Sequence, residues 1–164
     1  MDFVSIIMGS KSDYEIMKHC AETLESFNVK YELIISSAHR SPQRTKDYMK
    51  EAEAKGSKVF IAAAGMAAHL AGALAASTTK PVIGVPMKGG AMDGMDAMLS
   101  TVQMPSGMPV ATVALGKAGA VNSAYLAIQI LAITDKELAI KLKEDRIIKE
   151  KKVENDSREI EVLI

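Results

Sequence analysis

Short apolar runs alternate with amphipathic stretches along almost the whole chain. Phe3 to Met8 is a nearly continuous apolar run closed by Gly9-Ser10, the pattern of a strand buried on both faces. From Asp13 to Phe27 the residues Ile16, Met17, Cys20, Leu24 and Phe27 follow helical spacing, with Ser12 or Asp13 placed to cap the first turn. The alternation then repeats. It predicts strands at Tyr31 to Ile35, Lys58 to Ala63, Pro81 to Val85 and Val110 to Leu115. Between them it predicts helices at Pro42 to Lys55, Ala67 to Ser77 and Met95 to Gln103, followed by a long one from about Ala120 to Ile133. From Asp135 the chain is charge-rich with helical spacing to about Lys152, and then reads "ENDSREIEVLI". Its closing apolar residues are expected to pack on the body or on a neighbouring subunit.

Strands that alternate with helices through short loops require crossover connections, and these give a parallel sheet covered on both faces. The expected fold is therefore α/β, a three-layer αβα sandwich plus a C-terminal helix. The expected organisation is one domain over 1–164, with its core at about 3–134. In such a fold ligands bind beyond the carboxyl ends of the strands. That directs attention to five loops: "GSKSD", "SSAHRSP", "AGMAAHL", "PMKGGAMDGMD" and "GKAGAVN".

Composition narrows the partners. Lys+Arg and Asp+Glu each number 20, so no global field draws the chain to nucleic acid or to an anionic membrane, although a local cation cluster could still hold a phosphate. A small-molecule partner is expected. The only cysteine, Cys20, cannot form an intramolecular disulfide and lies within a helical pattern, consistent with a reducing compartment. The first apolar run follows an acidic residue and is too short for a signal segment or a membrane span, so a cytoplasmic location is expected.

The loops differ in what chemistry they offer. Gly9, Ser10, Ser12 and Asp13 lie between a strand and a helix N-terminus, where backbone N–H groups and the helix dipole favour an anion. The same residues also make an ordinary turn and cap. The loop is neither a P-loop nor a G-x-G-x-x-G fingerprint, which argues against nucleoside triphosphate hydrolysis and dinucleotide binding by that route. In the second loop His39 stands beside Arg40. Arginine is a permanent cation suited to phosphate, and histidine is the side chain that changes protonation near neutrality. The pair can thus divide binding from proton transfer. His69 sits among small apolar residues, either as a satisfied core imidazole or as part of a pocket wall. Cys20, His39 and His69 have no metal-ligand spacing, and HExxH and CxxC are absent, so no metal is expected. The residues alone point to a phosphorylated small substrate.

Six ordered segments carry a resemblance: "MGSKSD", "SAHRSP", "AAHLAG", "PVIGVP", "VQMPSGMPVATVALGKAGAVN" and "LAIQILA". Together they resemble the class I N5-carboxyaminoimidazole ribonucleotide mutases, the catalytic subunits of phosphoribosylaminoimidazole carboxylase (the PurE family), from about Phe3 to Leu142. The resemblance implies a flavodoxin-like fold, a homo-octamer with sites between subunits, and a role in de novo purine (IMP) biosynthesis with no cofactor. It also implies a phosphorylated ribonucleotide substrate and, as a functional partner, N5-carboxyaminoimidazole ribonucleotide synthetase.

Residue by residue, the resemblance makes Gly9, Ser10 and Asp13 substrate-binding, with phosphate and ribose facing Ser10 and Asp13. Arg40 resembles the phosphate-binding arginine, and His39 the catalytic acid/base. Ser37 and Ala38 would flank the base, and Gly65 to Leu70, with His69, would wall the imidazole and carboxylate. Where the family usually has "AGGAAHLPG" this chain has "AGMAAHLAG", so Met66 and Ala71 replace a glycine and a proline, and the fourth loop is more Gly-rich than usual. The class II carboxylases, which use free CO2, typically have Lys at the position of Arg40. A non-catalytic nucleotide-binding relative is the other alternative.

Overall fold

The computed structural model describes residues 2–162. Its elements are β1 (Phe3–Met8), α1 (Tyr14–Ser26), β2 (Tyr31–Ile35), α2 (Pro42–Lys55), β3 (Ser57–Gly65), α3 (Leu70–Ala75), β4 (Val82–Met87), α4 (Met95–Val102), β5 (Ala111–Thr112), α5 (Gly116–Ala132) and α6 (Lys136–Ile160). The strands form one parallel sheet of five in the order β2-β1-β3-β4-β5. This is the flavodoxin-like order. The chain divides into two compact units, one ending at Ile128 and the other beginning at Gln129.

Strand alternation decides which helix covers which face. Phe3, Ile7, Phe60, Ala62 and Val82 project to one side, where Met49 and Ala52 of α2 and Leu70, Ala71 and Leu74 of α3 pack on them. α4 lies on the same side, because a Cβ on Gly84 would stand 2.4 Å from Thr101 Cγ2. On the opposite side α1 meets α5. Ser123 Oγ lies 3.5 Å from Cys20 Sγ, and the Phe27 and Tyr125 rings meet edge to face at 5.6 Å. Val4, Ile6, Ile7, Phe60, Ile61 and Ile83 are all fully buried, and burial of each contributes about 1.5–3 kcal/mol.

Several boundaries differ from the expectation, each for a physical reason. The predicted strand at Val110 to Leu115 pairs regularly only over Ala111–Thr112, as the partly exposed edge of the sheet with one neighbour. The long helix starts at Gly116, four residues early, because Gly119 is a close-packing glycine and not a breaker: a Cβ there would stand 1.7 Å from the Ala114 carbonyl oxygen. The expected cap by Ser12 or Asp13 is replaced. Ser10 caps a 3-10 turn at Lys11–Asp13, and the Asp13 carboxylate turns back to the Ser10 N–H.

The last helix, taken by itself, also exceeds its expected end and runs to Ile160. Asp135 Oδ1 accepts from the Leu138 N–H at 3.0 Å to start it, and Ser157 bonds Glu161 at its other end. Ile160 and Val162 are 82% and 88% exposed. Leu163 and Ile164 lie outside the described residues.

Candidate active site

The sheet order reverses at β1, so the loops leaving β1 and β3 diverge toward helices on opposite faces. A crevice opens between them. A cleft of about 540 Å3 occupies this place, at the carboxyl ends of β1, β2 and β3. Gly9, Ser10, Asp13, Ser37, Ala38, His39, Arg40, Gly65, His69 and Leu70 all line it. The cleft wall also includes Ser12, Ala64, Met66, Ala67 and, from the fourth loop, Lys88, Gly89 and Gly90. Lys88 was not singled out from sequence. The available signal was a lone cation at a strand end before two glycines, a pattern that a solvated loop also shows. The fifth stretch, "GKAGAVN", contributes nothing to the cleft, since it forms the first turns of α5.

The first loop is a reciprocal cap. The Ser10 side chain accepts from the Ser12 N–H at 3.3 Å, while Asp13 Oδ2 accepts from the Ser10 N–H at 3.0 Å. The Asp13 carboxyl is held above its ordinary 3.8, chiefly by burial, although the Ser10 N–H and the Arg40 charge both pull it down. A carboxylate at the mouth of the cleft therefore carries a desolvation cost.

The second loop is fixed from beneath by hydroxyls. Ser36, 1% exposed, bonds Thr45 Oγ1 at 2.8 Å, and Ser41 Oγ accepts from the Ser37 N–H at 2.9 Å. Pro42 then opens α2 without leaving an N–H to satisfy. This mounting sends neighbouring side chains in different directions. Arg40 reaches the first loop, with Nη2 donating to the Gly9 carbonyl at 3.0 Å. His39 turns to the third loop, where its Nε2 lies 2.8 Å from His69 Nδ1 with the rings perpendicular. The core alternative for His69 is thus replaced by an exposed imidazole in the cleft. His19 pairs instead with Glu22 on α1, at 3.0 Å.

A bond between two imidazole nitrogens requires one ring to donate N–H and the other to accept. Removing or adding a proton at one ring therefore changes the partner's hydrogen bond directly. On the other wall Arg40 and the exposed end of the first loop make a setting for an anion. The floor between them is small and apolar: Ala38, Ala64, Ala67 and Leu70.

The family model described as AIR carboxylase matches residues 3–152, which contain every residue of the cleft. The chain belongs to the AIR carboxylase family. Within it, the chain is 56% identical over 143 residues to the N5-carboxyaminoimidazole ribonucleotide mutase of Bacillus subtilis, covering 87% of this chain and 88% of that one. It is 51% identical over 158 residues to the enzyme of the same name from Pyrococcus horikoshii, covering 96% and 88%. The crystal structure of Treponema denticola PurE superposes with a TM-score of 0.89 at 29% identity, covering 99% of this chain and all of that one. The AIR carboxylase match ends at Lys152, inside α6, which leaves the last turns of that helix beyond it.

Proposed function

We infer that the protein is an N5-carboxyaminoimidazole ribonucleotide mutase, an isomerase of purine biosynthesis that moves a carboxylate from the exocyclic nitrogen to C4 of the aminoimidazole ring. The names of relatives at 50–56% identity supply the substrate. The observation that carries the chemistry is the divergence of His39 and Arg40, one toward His69 and one toward the first loop, at a single cleft.

Arg40, Ser10 and Asp13 hold the ribose phosphate end, and the ring lies over Ser37 and Ala38 with its carboxylate toward Gly65, His69 and Leu70. His39 protonates the carbamate nitrogen; the C–N bond breaks with its electron pair left on nitrogen, and CO2 is freed. The electron-rich C4 attacks that CO2, forming the new C–C bond. His39 then removes the proton from C4 and restores the aromatic ring. One proton is given and one taken, so a histidine returns to its starting state. His69 holds the ring of His39 in line by the shared N–H. The small apolar floor keeps CO2 beside the ring between the halves.

The proposal places the chain in the cytoplasm, working as one catalytic domain over 1–164, as a homo-octamer, supplied by a synthetase that makes the unstable carbamate. Among the described residues no helix is long and apolar enough to cross a membrane. An exposed apolar stripe on α4 and its leading turn, Met92, Met95, Leu99 and Val102, supports association of copies.

The test supplies the carbamate substrate without bicarbonate. Formation of 4-carboxy-5-aminoimidazole ribonucleotide is expected, with its loss in His39→Asn. Product only when CO2 and aminoimidazole ribonucleotide are supplied would instead assign the class II reaction, and no product from either would leave a nucleotide-binding relative.

A further inference from the structure

Met66, at the cleft rim, has φ +55° and its side chain is 62% exposed. An L residue other than glycine is strained in this left-handed region, and such strain persists only where surrounding contacts over-determine it. Burial does not supply them, since the residue is mostly exposed. Besides the turn's own bond from the His69 N–H to the Ala67 carbonyl at 2.9 Å, polar contacts to the backbone of 66–68 come from Ser100, in the middle of α4. Its Oγ accepts from the N–H of buried Ala68 at 2.9 Å, with the Met66 carbonyl 3.3 Å away. Its own hydroxyl faces the Asp96 carbonyl at 2.7 Å and the Ala97 carbonyl at 3.3 Å as acceptors, besides that of Met66.

His69 follows immediately after this turn and precedes the first residue of α3. The conformation of 66–68 therefore sets the direction in which the imidazole leaves the backbone, and hence the 2.8 Å contact with His39. We propose that Ser100 is a positioning residue: from α4 it holds the strained turn at Met66 so that His69 meets His39. Without the Ser100 oxygen the Ala68 N–H loses its partner and Met66 is freed to relax to negative φ, which swings His69 away. Ser100 touches neither loop that faces the anion, so its effect is confined to the proton-transferring side.

This inference rests on the reaction proposed above, and a double-mutant cycle separates the two. Ser100→Ala is expected to lower kcat about tenfold, the size of effect that an orphaned buried N–H can produce, with a smaller rise in KM because His69 also faces the substrate carboxylate. Because glycine occupies the left-handed region without strain, the same substitution in a Met66→Gly background should cost under about twofold. Equal losses in both backgrounds, or a loss expressed only in KM, would overturn the role of Ser100.

Two further measurements do not use activity. A crystal structure of Ser100→Ala should show Met66 outside the left-handed region and His39 beyond hydrogen-bond reach of His69; an unchanged turn refutes the proposal. Met66→Gly alone should raise Tm, and an equal or lower Tm means that the turn stores no strain. A parent inactive on the carbamate would sink the reaction, while the crystal and melting results would still decide the role of Ser100.

Discussion

Two charged side chains in the cleft make opposite demands on the fold. Arg40 is already satisfied by the Gly9 carbonyl, so the phosphate it receives adds a charge-assisted bond at little ordering cost. Arg40→Ala should remove about 1.5–3 kcal/mol of binding. That corresponds to a KM raised roughly ten- to hundredfold, with kcat changed less, in steady-state kinetics. Asp13 is different, because burial dominates and its carboxyl is held above 3.8 in the folded protein. A raised acid pKa contributes stability that is fully present below the unfolded value and lost as pH rises through the folded one. At neutral pH its charge is therefore a cost. Asp13→Asn keeps an oxygen for the Ser10 N–H and drops the charge, so its Tm should exceed the parent's at neutral pH. The gap should close as pH falls to 3.8 and below, and substrate binding should weaken throughout. Equal melting temperatures across that range would remove the desolvation account.

At the scale of elements, the loop between β2 and α2 depends on a buried pair of hydroxyls rather than on apolar packing. Thr45→Val keeps the shape but leaves Ser36 Oγ, 1% exposed, with Ser41 Oγ at 3.5 Å as its remaining neighbour. The expected cost is about 1–3 kcal/mol, read as a fall in Tm of about 2–4 °C per kcal/mol. Strand and helix order was legible from periodicity because buried parallel strands and amphipathic helices write different repeats. The loops after β1, β2 and β3 followed from that order. Three features were not legible. The start of α5 was hidden because its two glycines resemble a loop, whereas Gly119 is there for close approach to the Ala114 carbonyl. The His39–His69 contact joins residues 30 apart in sequence, and no local pattern records which imidazole another will face. Lys88 was missed for a similar reason: its place in the cleft depends on the path of a loop whose residues Gly89, Gly90, Asp93 and Gly94 all have positive φ.

For the molecule as a whole, the apolar stripe on α4 is exposed in the isolated chain. The proposed octamer gives it a partner. Light scattering at working concentration should return a mass near eight chains of 17.6 kDa, and charged substitution at Leu99 should lower that mass. A monomer in the parent protein would refute the octamer.

The strand order also has a consequence for synthesis. β1 is made first but sits between β2 and β3, so the emerging segment Phe3–Met8, wholly buried in the finished protein, has both neighbours only after Gly65 has left the ribosome. Until then it is an open apolar edge, which other chains can join. The loops after those same strands build the cleft. β1 thus stops being an open edge at about the moment the loops after β1, β2 and β3 begin to build the site, and the edge passes to β3 until β4 is made.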